Sequence, residues 1–112
     1  MKLALFYGSL KKREFNFDRF GAGTQKFIKT VELDGYDLYD LKYYPGLTKG
    51  KGRVTFELHE VDDRAFDSIS RMEAGAGYSL GEEKVDGKEA AVFFYEGDLS
   101  EYKKIESGNW NG

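Results

Sequence analysis

The sequence predicts an α+β domain, a mixed curled sheet or small barrel of five to six strands with one main helix against it. Three observations carry this. Strand patterns, either alternating or apolar on both faces, occur around residues 3–7, 25–33, 36–41, 53–61 and 89–95. One stretch, opened by Asp62-Asp63 and closed by Ala74-Gly75-Ala76-Gly77, has helical spacing instead. Long connections separate some of the strands, which allows parallel as well as antiparallel neighbours.

The first strand sets the frame. Leu3, Leu5 and Tyr7 point to one face, Ala4 and Phe6 to the other. Both faces are apolar, as in a central strand covered on both sides. The pattern stops at Gly8-Ser9-Leu10, and Lys11-Lys12-Arg13 follows at once. Glycine lets backbone approach a ligand closely, and successive amides in such a turn form an anion-binding nest. A plain turn fits the same residues.

Residues 14–23 hold Phe15, Phe17 and Phe20 among polar neighbours and read as a short helix or loop. Phe27, Ile28, Val31 and Leu33 mark a strand, and Asp34-Gly35 is the strongest hairpin signal in the chain. Tyr36 and Leu38 then alternate with Tyr39 and Leu41. Residues 43–52 read as a loop, with Pro45-Gly46 as its turn. In the next strand Val54, Phe56 and Leu58 alternate with Thr55, Glu57 and His59, and Val61 breaks the phase. That strand should be half exposed, with His59 on its solvated face. Asp62 and Asp63 suit the start of a helix, where free amides and the dipole favour carboxylates. Residues 84–87 read as a short edge strand turning at Asp86-Gly87. The run Ala90-Ala91-Val92-Phe93-Phe94-Tyr95 is apolar on both faces and reads as a second central strand.

Composition narrows the function classes. A chain of 112 residues, 40% hydrophobic and 16% aromatic, is the size of one domain with its own core. A net charge of -3 with interspersed signs argues against nucleic acid as partner. No cysteine and one histidine leave no thiol chemistry and argue against a zinc site. No run is long enough to span a membrane, and no signal h-region follows Met1, so a cytoplasmic protein is expected.

One residue does not match its surroundings. Glu73 lies seven residues after Phe66 and four after Ile69, on the apolar face of the predicted helix. A buried carboxylate is costly unless paired or used. Burial and the negative helix end both raise its pKa, which is how sites obtain a general acid/base near neutrality. A helix end emerging from the core, with Glu73 paired to Lys or Arg, fits equally well.

Four motifs in order resemble the gamma-glutamylcyclotransferase-like family, nearest its small gamma-glutamylamine cyclotransferase type. They are Phe6-Tyr7-Gly8-Ser9-Leu10-Lys11, the run from Leu33 to Leu41 with Tyr44-Pro45-Gly46-Leu47, Met72-Glu73 followed by Tyr78, and Ser107-Gly108-Asn109-Trp110. Two positions depart from the family pattern: Ile69-Ser70 stands where Leu-Asp is frequent, and Leu80 where many members carry Arg. The resemblance implies one gamma-glutamylcyclotransferase-like domain over residues 1–112 acting on a small gamma-glutamyl compound. It implies attack of the substrate's α-amine on its γ-carbonyl, giving 5-oxoproline and a released amine, without metal or cofactor. Glu73 would be catalytic, and Tyr7, Gly8, Ser9, Leu10 and Tyr78 would bind substrate. A non-catalytic small-molecule binding domain of the same fold is the alternative. The sequence specifies neither the released amine nor the oligomeric state.

Overall fold

The computed structural model describes residues 2–8, 10, 11 and 25–110. Ser9 and the expected helix or loop over 14–23 lie outside the described residues. Among the described residues six strands form one curled sheet in the order β4-β5-β1-β3-β2-β6. They are β1 (Lys2–Phe6), β2 (Gln25–Asp40), β3 (Pro45–Val61), β4 (Tyr78–Val85), β5 (Lys88–Tyr95) and β6 (Lys103–Lys104), with helix α1 (Asp63–Gly75) between β3 and β4. β1 runs parallel to β5, and every other pairing is antiparallel. Among the described residues this is the mixed sheet with one main helix that the sequence predicts.

β1 separates two cores, as its two apolar faces require. Leu5 and Tyr7 join Phe56, Leu58 and Val92 on one face. Ala4 and Phe6 join Val61, Phe66, Ile69 and Phe93 under α1 on the other. β5 is divided in the same way, with Val92 in the first core and Phe93 in the second. The helix begins where expected: Asp62 Oδ1 accepts the Ala65 amide at 2.8 Å. It ends at Gly75, and Gly77 takes φ of 93°.

Asp34-Gly35 is not a hairpin turn. It lies inside β2, where Gly35 takes φ of 94° at a register shift between Asp34 and Tyr36. Asp34 pairs with Arg53 and Tyr36 with Lys49, so residues 50–52 stand opposite Gly35. Nor are residues 45–52 a loop, since Pro45 opens β3. The chain reverses earlier, over residues 41–44, where the Leu41 amide donates to Tyr44 O at 2.9 Å and Lys42 takes φ of 82°. The glycines of Lys49-Gly50-Lys51-Gly52 make room for a carboxylate rather than a turn. A Cβ at Gly50 would collide with Asp37 Oδ2, and the Gly52 amide donates to Asp37 Oδ1 at 3.1 Å.

His59 is fully buried, contrary to expectation. The alternation in β3 is as the sequence predicts, but the second face is also covered near the end of the strand. The rings of Phe6 and Phe27 close on the imidazole, and Val61 on the same face enters the core under α1. β4 is the edge strand expected before Asp86-Gly87, but it starts at Tyr78. Positive φ at both Asp86 (53°) and Gly87 (79°) gives the tight β4–β5 turn. The tail crosses the sheet: Ile105 donates to Leu38 O at 2.7 Å, Gly108 O accepts from Thr55 at 2.8 Å, and Trp110 is buried.

Candidate active site

Parallel pairing brings the C-terminal ends of β1 and β5 to one edge of the sheet. The end of α1 and the start of β4 arrive beside them. Tyr78 pairs with Tyr95, and the Glu96 amide donates to Gly77 O at 2.9 Å. The start of β3 curls over the same place, so that Pro45 lies against Gly8.

Glu73 sits in the last turn of α1, shielded enough from water that burial alone lifts its pKa from 4.5 to about 7. Its charge reaches two phenols. Tyr7 and Tyr78 are both held above the ordinary tyrosine range, first by their own burial and then by neighbours that include Glu73. The three side chains predicted from separate parts of the chain therefore share one locale.

Each phenol is fixed by the backbone. Tyr7 Oη donates to Phe93 O in β5 and takes a hydrogen bond from the Leu47 backbone in β3. Tyr78 Oη donates to Pro45 O at 2.6 Å, and its ring meets that of Tyr95 edge-on at 5.2 Å. Such donors hold orientation without needing a charged partner.

The loop after β1 is a turn closed by the Lys11 amide on Gly8 O at 3.0 Å. Leu10 is buried in the core under α1 and is 3% exposed. Lys11 is buried as well, and its ammonium donates to Trp110 O and, at 3.3 Å, to Asn109 Oδ1. The resemblance motif at the tail thus ends on the loop of the first motif. Gly8 is needed for packing: a Cβ there would stand 2.8 Å from Pro45 Cδ.

Pro45 joins these parts, its ring against Gly8 and its carbonyl on Tyr78. Its composition predicts a turn, and the Tyr44-Pro45-Gly46-Leu47 motif is the signal in the sequence that marks it. Of the two departures, Ile69 is fully buried in the helix-side core. Ser70 Oγ is buried with no partner among the described residues. Leu80 is 54% exposed on the edge strand. Among the described residues no helix is long and apolar enough to cross a membrane.

Residues 4–112 match the family model described as "Gamma-glutamyl cyclotransferase, AIG2-like". The chain is 36% identical over 107 residues to a Pyrococcus horikoshii protein named "Putative gamma-glutamylcyclotransferase PH0828", covering 94% of this chain and 87% of that one. The crystal structure of that protein superposes with a TM-score of 0.84 over 97% of this chain and 89% of its own. The Escherichia coli K12 "Gamma-glutamylcyclotransferase family protein YtfP" is 27% identical over 105 residues, 93% of this chain and 91% of the relative. The solution structure of the E. coli protein gives a TM-score of 0.82 over 96% of this chain and 95% of its own. The extent of the family match, with a relative more than 30% identical over nearly the whole chain, places this chain in the Gamma-glutamyl cyclotransferase, AIG2-like family.

Proposed function

We propose that the chain is a γ-glutamyl cyclotransferase with Glu73 as its general acid/base. The observation that carries this is a carboxyl whose pKa burial lifts to about 7, beside two anchored phenols. A carboxyl at that value both takes and returns a proton near neutral pH.

The substrate's α-amine nitrogen forms a bond to its own γ-carbonyl carbon. The proton lost by that nitrogen goes to Glu73. The tetrahedral intermediate collapses, the bond to the leaving amine breaks, and Glu73 returns the proton to the departing nitrogen. The products are 5-oxoproline and the free amine, with no water consumed. The backbone amides of Gly8, Ser9 and Leu10 hold the glutamyl carboxylate or the developing oxyanion. Tyr7 and Tyr78, beside Glu73, lie against the substrate. The reaction needs little further assistance, since a well-oriented internal nucleophile lowers a barrier by roughly 7–11 kcal/mol.

The test is a panel of γ-glutamyl amines, amino acids and isopeptides incubated with wild type and Glu73→Gln. The reading expects 5-oxoproline from at least one class with wild type only. Equal release by the folded variant would overturn the role of Glu73.

A further inference from the structure

The loop after β1 is held by a buried polar relay. Gln25, 8% exposed at the start of β2, places Nε2 3.0 Å from Leu10 O and 3.0 Å from His59 Nδ1. His59 Nε2 stands 2.9 Å from Glu57 Oε1. The chemistry of the groups sets the direction of each bond. A backbone carbonyl only accepts, so the amide group facing Leu10 is the NH2 of Gln25. Its second hydrogen faces His59 Nδ1, which must therefore accept. The imidazole proton is then on Nε2 and is donated to the Glu57 carboxylate.

The parts are rigid. His59 is wedged between the rings of Phe6 and Phe27, with centroids at 5.2 and 5.6 Å. Register places its strand between the other two: His59 pairs with Ala4 of β1 and with Phe27 of β2. Gln25 Oε1 is buried with no partner among the described residues, so the amide is oriented by its donor end.

A fold that needed only filled volume here would be served by apolar residues, because a buried polar network carries a desolvation cost. Gln25 and His59 add something apolar residues lack, a directed hydrogen bond onto a carbonyl that lies beyond the end of β1. We infer that Gln25 and His59 are positioning residues for the loop after β1: by fixing the Leu10 carbonyl they orient the backbone amides that grip the substrate's carboxylate. The inference rests on the proposed role of that loop in binding. His59 acts through Gln25, and neither touches the reacting atoms.

The test uses Gln25→Leu, His59→Phe and the double variant, with two readouts. In the free protein, amide hydrogen exchange at Lys11, which donates to Gly8 O, reports the loop directly. Loss of one buried hydrogen bond should speed it about tenfold in Gln25→Leu, with β3 amides as protected as in wild type. With a γ-glutamyl amide that wild type turns over, KM should rise about tenfold while kcat stays within about threefold, the mark of lost binding rather than lost chemistry. His59→Phe should show a smaller change in the same direction, and it carries the test alone if Gln25→Leu does not fold. In Lys11 exchange the double variant should be no worse than Gln25→Leu, because the hold of His59 on the Leu10 carbonyl passes through the Gln25 amide. Unchanged Lys11 exchange and KM in a folded Gln25→Leu would overturn the inference. So would faster exchange throughout the molecule with kcat and KM affected together. A wild type that turns over no γ-glutamyl compound instead overturns the cyclotransferase reading, and Lys11 exchange alone then decides whether Gln25 holds the loop.

Discussion

Glu73 carries the proposed chemistry and an opposing effect on stability. Glu73→Gln keeps the shape and removes the proton carrier, so turnover should fall at least about a hundredfold while the variant remains folded. A folded variant that keeps most of the rate would contradict the role. The acid limb of kcat/KM should bend near pH 7, because only ionised Glu73 accepts the amine proton. An acid limb near pH 4.5 would mean that the working carboxyl is a solvated one. Folding responds with a definite sign. Its folded pKa lies above its unfolded one, so the folded state binds more protons between about pH 4.5 and 7, and stability falls as pH rises through that window. The contribution approaches roughly 2–3 kcal/mol above pH 7. Glu73→Gln should therefore resist urea better than wild type at pH 8, with the difference vanishing near pH 4. A pH-independent difference would contradict the burial of the carboxyl. Glu73 was legible in the sequence because its spacing from Phe66 and Ile69 specifies a helix face. His59 was not, since alternation specifies a face of β3 but not what covers it. The hint is Val61, an apolar residue on the same face, which by alternation alone looks like a break in phase.

At the scale of elements, glycine was the ambiguous letter. Asp34-Gly35 has the composition of a hairpin turn and occupies a bulge; Gly50 and Gly52 look like a loop and accommodate Asp37. Local composition cannot separate these cases, because each requires only the absence of a Cβ or a positive φ. Two substitutions distinguish them. Gly35 has φ of 94° and open space around it. Gly35→Ala should cost about 1 kcal/mol or more through backbone strain alone and leave kcat/KM unchanged. Gly8 is not at positive φ among the described residues but abuts the Pro45 ring. Gly8→Val should cost about 1–3 kcal/mol by overpacking and also weaken binding of 5-oxoproline, because moving Pro45 moves the carbonyl that holds Tyr78. Unfolding midpoints and calorimetric affinities measured side by side read both. A Gly8→Val protein with wild-type stability and binding would show that the contact with Pro45 does not hold in solution.

The whole molecule is a sheet with apolar residues on both faces, and this much followed from the sequence. Leu5 against Phe6 in β1, and Val92 against Phe93 in β5, required cover on both sides, and the long connections between strands allowed a mixed sheet. What spacing could not reveal is which ends meet. The parallel pairing of β1 with β5, the curl of β3 that brings Pro45 to Gly8, and the tail reaching Lys11 all depend on contacts distant in sequence. Those contacts gather Tyr7, Tyr78 and Glu73 into one site, and the reaction proposed for it makes one demand that hydrolysis does not. Its nucleophile is the substrate's own amine. The direct measurement follows amine release, and the mass of the acid product, from a γ-glutamyl amide and from its N-acetylated form. The account predicts 5-oxoproline from the first and no release from the second, which keeps its carboxylate for the loop but has lost its nucleophile. Glutamate from the free substrate, or amine released from the acetylated one, would contradict it.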